Sequence, residues 1–69
     1  MKFKDIKENN CYWYHYLNEK CYGQLRIKIK GVGTQVHLFR NYITKKDNYV
    51  WIEDIIRELN TIEKLILIK

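Results

Sequence analysis

The chain has 69 residues and a formal net charge of +5, with 46% hydrophobic and 14% aromatic residues. This is the length of one small domain, and the composition is too apolar for a disordered tail, so we expect a core built largely from aromatic rings. No apolar run reaches the roughly 18 residues of a membrane span, and the start MKFKDIKENN lacks the apolar segment of a signal peptide. We therefore expect a cytoplasmic protein whose two cysteines are reduced thiols.

Positive charge is concentrated in the first two thirds of the chain. Residues 1–46 contain ten Lys and Arg against three Asp and Glu (+7), whereas residues 47–69 contain three against five (−2). Clustered positive charge attracts polyanions and acidic proteins, although the solvated surface of a Lys-rich protein has the same pattern. The chain is rich in Lys, Ile, Asn and Tyr and has no Ala, Pro or Ser, a bias that indicates a low-GC bacterium or one of its phages.

The first predicted element is an aromatic strand over residues 12–17. Its side chains alternate between two faces with the period of two that is typical of a strand. We expect the face of Trp13, His15 and Leu17 to be buried, because Trp is the largest apolar side chain available to so small a core. Three tyrosines would then point outward: Tyr12, Tyr14 and Tyr16. The alternative is a strongly curled barrel in which some of them pack under the N-terminal residues or at the barrel ends.

The segment QLRIKIK predicts a second strand, and GVGT predicts a hairpin connection to a third. Pairing Lys30 with Gln35 sets Ile29 opposite Val36 and puts the apolar pairs on one face, whereas a slip by one residue would split them. The same register also pairs Ile27 with Leu38. The opposite face would then be a basic ribbon with an aromatic ring in it: Arg26, Lys28, Lys30, His37 and Phe39.

The C-terminal third fits two patterns. We predict a strand over residues 49–52, a short helix near 53–59 and a last strand near 64–68, because YVWI and LILIK are strand-like and acidic residues suit the first turn of a helix. The alternative is one helix from residue 52 to about 66 packed on a three-stranded meander, which would be an α+β fold. The expected core is Trp13, Leu25, Ile27, Ile29, Val36, Leu38, Val50, Ile52, Ile55, Leu59 and Leu67.

This order of elements resembles the SH3-like small barrels of the Tudor and KOW type. The polar lead-in, aromatic strand, basic hairpin, strand YVWI, turn EDIIREL and closing strand KLILIK together cover most of the chain. The resemblance implies a mainly β, five-stranded barrel with one short helix before the last strand. It also implies a binding module, since members of this class bind nucleic acids, methylated or proline-rich peptides, or other proteins.

Metal and catalytic sites are not predicted. Cys11 and His15 would lie about 13 Å apart along a strand, whereas two ligands of one zinc lie about 4 Å apart, and the spacing to Cys21 and His37 is not that of a zinc finger. A chain without Ser has no serine nucleophile, and a barrel of this size fills its interior with side chains. We expect no enzyme activity, no disulfide, no cofactor and no small-molecule substrate.

The remaining candidate is a binding surface. If the three tyrosines and the basic ribbon share a surface, bases could stack on the rings while Lys and Arg contact phosphates, as in proteins that bind single strands or RNA. The alternative function is that of a phage or mobile-element protein that binds and inhibits a host nucleic-acid-processing protein, with the rings as hot spots and the basic rim attracting an acidic partner. We prefer nucleic-acid association, because the clustered charge lies next to aromatic residues.

Overall fold

The computed structural model describes residues 2–31 and 34–68. The fold is mainly β, as predicted, and residues 32 and 33 of the expected hairpin connection lie outside the described range. In the described chain there are five strands, β1 (Cys11–Tyr16), β2 (Glu19–Gly31), β3 (Thr34–Asn41), β4 (Asp47–Trp51) and β5 (Ile55–Glu58), and one helix, α1 (Thr61–Leu67). Two 3-10 turns cover Phe3–Asp5 and Ile52–Asp54.

The five strands form one antiparallel sheet in the order β4-β3-β2-β1-β5. The sheet is open, with β4 and β5 at its two edges. β1 also contacts β4 directly, although β2 and β3 lie between them in the sheet. The sheet is therefore curled, and its concave face encloses the core.

The C-terminal third has the opposite order of helix and strand from the one predicted. Residues 55–58 are the strand β5 and residues 61–67 are the helix, so the predicted helix at 53–59, the predicted strand at 64–68 and the alternative long helix at 52–66 are all wrong. The helix begins where it does because Asn60 and Glu63 form a capping box, in which each side chain accepts a hydrogen bond from the other residue's backbone N–H.

A β-bulge divides β2 into two halves that face opposite ways. The predicted register between β2 and β3 is confirmed, with Ile29 opposite Val36 and Ile27 opposite Leu38. Leu25, however, lies opposite Phe39, so that Arg26 is an extra residue without a partner on β3. Because side chains alternate along a strand, one extra residue turns everything beyond it to the other face.

The core differs from the predicted one, and on β2 and β3 the reason is this bulge. Four of the expected residues are buried: Leu25, Val50, Ile55 and Leu59. The others are half-buried or exposed: Trp13, Ile27, Ile29, Val36, Leu38, Ile52 and Leu67. Their places in the core are taken by other residues: Ile6, Tyr12, Tyr14, Cys21 and Phe39. The expectation of an aromatic core is met by two tyrosines and a phenylalanine, and not by tryptophan.

Helix α1 is held to the sheet by the carboxylate of Glu63. That carboxylate accepts a hydrogen bond from the indole Nε1 of Trp13 at 3.0 Å and two from the guanidinium of Arg57 at 2.7 and 2.8 Å. It also accepts the backbone N–H of Asn60 at 2.9 Å. One side chain therefore joins the helix start to β1 and β5.

Acid should release this contact. The hydrogen bonds from Arg57, followed by that from the Asn60 backbone, lower the pKa of Glu63 from 4.5 to about 2. A carboxyl whose pKa is lower in the folded state stabilises the fold above its unfolded pKa and loses that effect as the pH falls. We expect the indole N–H signal of Trp13 in NMR spectra to keep its position above pH 4.5 and to shift as the pH falls towards 2. In Glu63→Gln the signal should show no such transition; a transition that persists in this variant would contradict the assignment.

Candidate functional site

The predicted basic and aromatic ribbon is not one surface. The bulge leaves Arg26 exposed and turns Lys28 and Lys30 towards the concave side, while His37 and Phe39 are fully buried. The expectation that these last two residues lie on a wet face is therefore wrong. The physical reason is the extra residue in β2, which the alternation of LRIKIK does not reveal.

The orientation predicted for β1 is also wrong. Tyr12 and Tyr14 are fully buried, Trp13 is half-buried, and His15 and Leu17 are exposed. Tyr16, the third expected surface tyrosine, is half-buried and packs against the core. The tyrosines of β1 thus pack in or against the core instead of forming the stacking surface that the sequence suggested.

The two buried tyrosines fit the core because their rings pack against Phe39 and their hydroxyls form hydrogen bonds. Their rings lie 6.1 Å (Tyr12) and 4.5 Å (Tyr14) from that of Phe39, centre to centre. The hydroxyl of Tyr12 accepts the backbone N–H of Lys7 at 2.9 Å, and the hydroxyl of Tyr14 donates to Asn48 Oδ1 at 3.3 Å. Burial raises the pKa of Tyr14, so this hydroxyl keeps its proton and remains a donor. Partnered hydroxyls remove the main cost of burying tyrosine.

The convex side of β2, β3 and β4 carries an uncovered apolar surface, which we call the outer apolar face. Two rows of side chains cross the three strands in register, Ile27 with Leu38 and Tyr49, then Ile29 with Val36 and Trp51. The exposed fractions of its four most accessible members are 49% (Ile27), 41% (Ile29), 64% (Tyr49) and 49% (Trp51). The other two are half-buried.

Sequence reasoning missed Tyr49 and Trp51 as surface residues that could bind a partner. The signal was present, because the prediction placed Val50 and Ile52 in the core, and alternation then turns Tyr49 and Trp51 outward. Val50 is indeed buried between them. Ile27 and Ile29 carried no such signal, since only the bulge brings them to this face.

Charged residues border one end of the outer apolar face. Arg26 is exposed at the bulge, and Arg40 lies opposite Asp47 with its guanidinium 3.4 Å from the carboxylate. This ion pair is solvent-exposed on both sides, so it is weak and leaves the end of the face with two arginines against one aspartate.

The two edges of the sheet differ in their protection. At β5 the register shifts at Ile56, and the strand carries Arg57 and Glu58 and runs almost directly into α1. Bulges and charged residues hinder pairing with another strand. At β4 the pairing with β3 is regular over all five residues, and no Lys, Arg or Pro lies in the strand.

The N-terminal arm, residues 2–10, lies over the cationic part of the concave side. The Phe3 ring centre lies 5.4 Å from that of His37, 4.1 Å from Lys28 Nζ and 5.8 Å from Lys30 Nζ. Lys28 Nζ also donates to the Phe3 carbonyl oxygen at 2.6 Å. The backbone N–H of Lys28 donates to the carboxylate of Glu8 at 3.0 Å.

His37 is the one fully buried side chain in the described chain with polar atoms that lack partners, since neither ring nitrogen has a hydrogen bond. Burial, and then the nearby charge of Lys28, lower its pKa, so the ring is neutral at pH 7. A buried imidazole with two unpartnered nitrogens costs stability, because both lose their hydrogen bonds to water.

The thiols are free and lie on opposite faces of the sheet. Cys21 lies opposite Tyr14 in the sheet and faces the core with it, whereas Cys11 lies with Trp13 on the other face of the sheet. Burial raises the pKa of the Cys11 thiol, which makes it a poor nucleophile at neutral pH.

Within residues 2–31 and 34–68, no three His, Cys, Asp or Glu residues are grouped so that they could hold a metal ion. The described helix is also far too short to cross a membrane.

Comparisons with models of protein families, with curated proteins and with solved structures found no significant match to this chain.

A matched pair of substitutions tests the two faces of β2. Leu25→Ala should lower the free energy of unfolding by about 2 to 5 kcal/mol, because it opens a cavity in the core. Ile27→Ala removes a similar side chain from the outer apolar face and should cost less than about 1 kcal/mol. Urea unfolding of both variants measures the difference. Equal losses would mean that the bulge at Arg26 is not present in solution.

Proposed function

We propose that the protein is a small binding module, without enzyme activity of its own, that docks on an acidic partner protein through the outer apolar face. The observation that carries this proposal is the pair of apolar rows across β2, β3 and β4, in which Tyr49 is 64% exposed. Monomeric proteins rarely leave such a surface in water, and contiguous apolar patches with polar rims mark interaction sites.

The residue types of this surface suit a protein partner. Trp51 and Tyr49 belong to the residue types that dominate binding energy in protein interfaces, as do the bordering arginines. Four aliphatic side chains complete the two rows, and aliphatic groups pack against protein side chains but offer no ring on which a base could stack.

Charge supports an acidic partner. The chain has a net charge of +5, and the charged end of the outer apolar face has an excess of positive charge from Arg26 and Arg40. Opposite charge on a partner would speed encounter and fix its orientation, while the apolar rows would supply most of the affinity.

For the partner's identity, we propose a nucleic-acid-processing protein of a bacterial host, inhibited by a phage or mobile-element protein acting in the cytoplasm. Small size and a composition biased towards AT-rich codons support this. Direct nucleic-acid association is the second candidate, favoured by the net charge and by the cationic group beneath the N-terminal arm, on the opposite side of the sheet.

We also propose a relationship to SH3-like barrels. What supports it is the strand order, in which a four-stranded meander is followed by a 3-10 turn and a fifth strand that returns to pair with β1.

Truncation of the outer apolar face should abolish capture of a protein partner. Immobilised wild-type protein should retain that partner from a low-GC bacterial lysate after nuclease treatment. Ile29→Ala combined with Trp51→Ala should weaken binding by about 2 kcal/mol or more, roughly 30-fold, as measured by calorimetry with the purified partner.

The matched control is Leu17→Ala, because Leu17 is 79% exposed but lies in the turn between β1 and β2 and belongs to neither row of the outer apolar face. This variant should bind like wild type. Loss of the partner on nuclease treatment would favour nucleic-acid association instead, and equal weakening by Leu17→Ala would place the interface elsewhere.

A further inference from the structure

The N-terminal arm covers a group of side chains that has the composition of a ligand site. Lys28 and Lys30 project from the second half of β2, and His37 lies opposite Lys28 on β3. The ring of Phe3 packs on His37 and within 6 Å of both ammonium groups. A single side chain of the arm thus contacts two cations and an imidazole at once.

The contacts of the arm are those that a nucleotide could replace. Phe3 offers an aromatic ring to the two lysines and a carbonyl oxygen to Lys28 Nζ at 2.6 Å, and Glu8 offers a carboxylate to the Lys28 backbone at 3.0 Å. A nucleobase has a ring of comparable size with polar edge atoms, and its phosphate supplies the anionic oxygen. Aromatic stacking beside lysines is the usual means of holding single strands.

The packing of Phe3 over His37 has an energetic cost that favours displacement of Phe3 by a ligand. Both nitrogens of His37 are buried without partners, and this cost is relieved when the ring meets water or a polar ligand. Release of Phe3 does not require the fold to open, because Ile6 is fully buried and anchors the arm at the core. Phe3 itself is half-buried and belongs to a 3-10 turn of three residues.

We propose that Lys28, Lys30 and His37 form a binding site for single-stranded nucleic acid that Phe3 occupies in the free protein and leaves when the ligand binds. The surplus of positive charge in residues 1–46, ten basic residues against three acidic, attracts such a polyanion. This site lies on the concave side and is separate from the outer apolar face, so it does not depend on the proposed docking to a protein partner.

The test measures binding of a fluorescein-labelled oligonucleotide of twelve thymidines by anisotropy. If Phe3 covers the site for about nine tenths of the time, Phe3→Ala should bind about tenfold more tightly than wild type. Phe3→Tyr keeps an aromatic ring over the site and should stay within about twofold of wild type. Adding Lys28→Gln and Lys30→Gln to Phe3→Ala should remove the gain and reduce the slope of log K against log salt by about 1.4.

A second measurement uses the unchanged protein, so that the proposal does not depend on the folding of a variant. In wild type saturated with the oligonucleotide, the nuclear Overhauser effects between the rings of Phe3 and His37 should disappear. If they persist, or if Phe3→Ala binds no more tightly than wild type, the site is not here.

Two further controls separate the alternatives. If poly-L-glutamate of equal charge competes as well as unlabelled oligonucleotide, the site binds polyanions in general and the assignment to nucleic acid is wrong. Ile29→Ala with Trp51→Ala should leave oligonucleotide binding unchanged, so failure of the proposed docking function and failure of this site give different results. A loss of oligonucleotide binding in that variant would place the nucleic acid on the outer apolar face and overturn the site under the arm.

Discussion

The single extra residue at Arg26 determines how the rest of the sheet is used. It lets Leu25 face the core while Ile27, two residues later, faces solvent. β2 also pairs with strands on both of its sides, and Gly23 lies between Tyr12 on β1 and Asn41 on β3. A Cβ at Gly23 would collide with the carbonyl oxygen of Arg40, so only glycine allows β3 to approach so closely. The bulge thus decides which side chains of β2 face solvent, and the glycine permits the close approach of β3.

The sequence was sufficient for the first four strands and for the register between β2 and β3, because these follow from local alternation and from matching apolar pairs. The fifth strand was placed at 64–68 instead of 55–58. The sequence was not sufficient to predict which face of β1 and β2 is buried. The alternation in LRIKIK is the same with or without a bulge, so the sequence did not show which side of β2 is buried. On β1 both faces carry aromatic residues. Tyr14 is buried instead of Trp13 because it contacts Phe39 and Asn48, which lie far along the chain. The start of α1 at Asn60 did have a local signal, the NTIE capping box, and was still missed because the apolar run after it is also typical of a strand.

The two sides of the sheet present different chemistry. The convex side offers an aliphatic and aromatic surface with charge only at its border, whereas the concave side places lysines and a histidine beneath the N-terminal arm. The residues predicted as one mixed binding face are therefore divided between a core, a covered cationic site and an exposed bulge residue. In a chain of 69 residues, the two surfaces that we propose for docking and for anion binding thus lie on opposite sides of the sheet.

The regular edge at β4 has a consequence for how copies of the protein behave together. The five-residue edge strand pairs regularly and has one charged residue, Asp47, at its start. It lacks the bulge, Lys and Pro that hinder edge-to-edge pairing, so it invites pairing with the edge of another copy at high concentration. Repulsion between molecules that each carry a net charge of +5 opposes this contact. Colloidal stability then depends on ionic strength, and concentrated salt, which screens the repulsion and strengthens apolar contacts, removes the barrier to self-association.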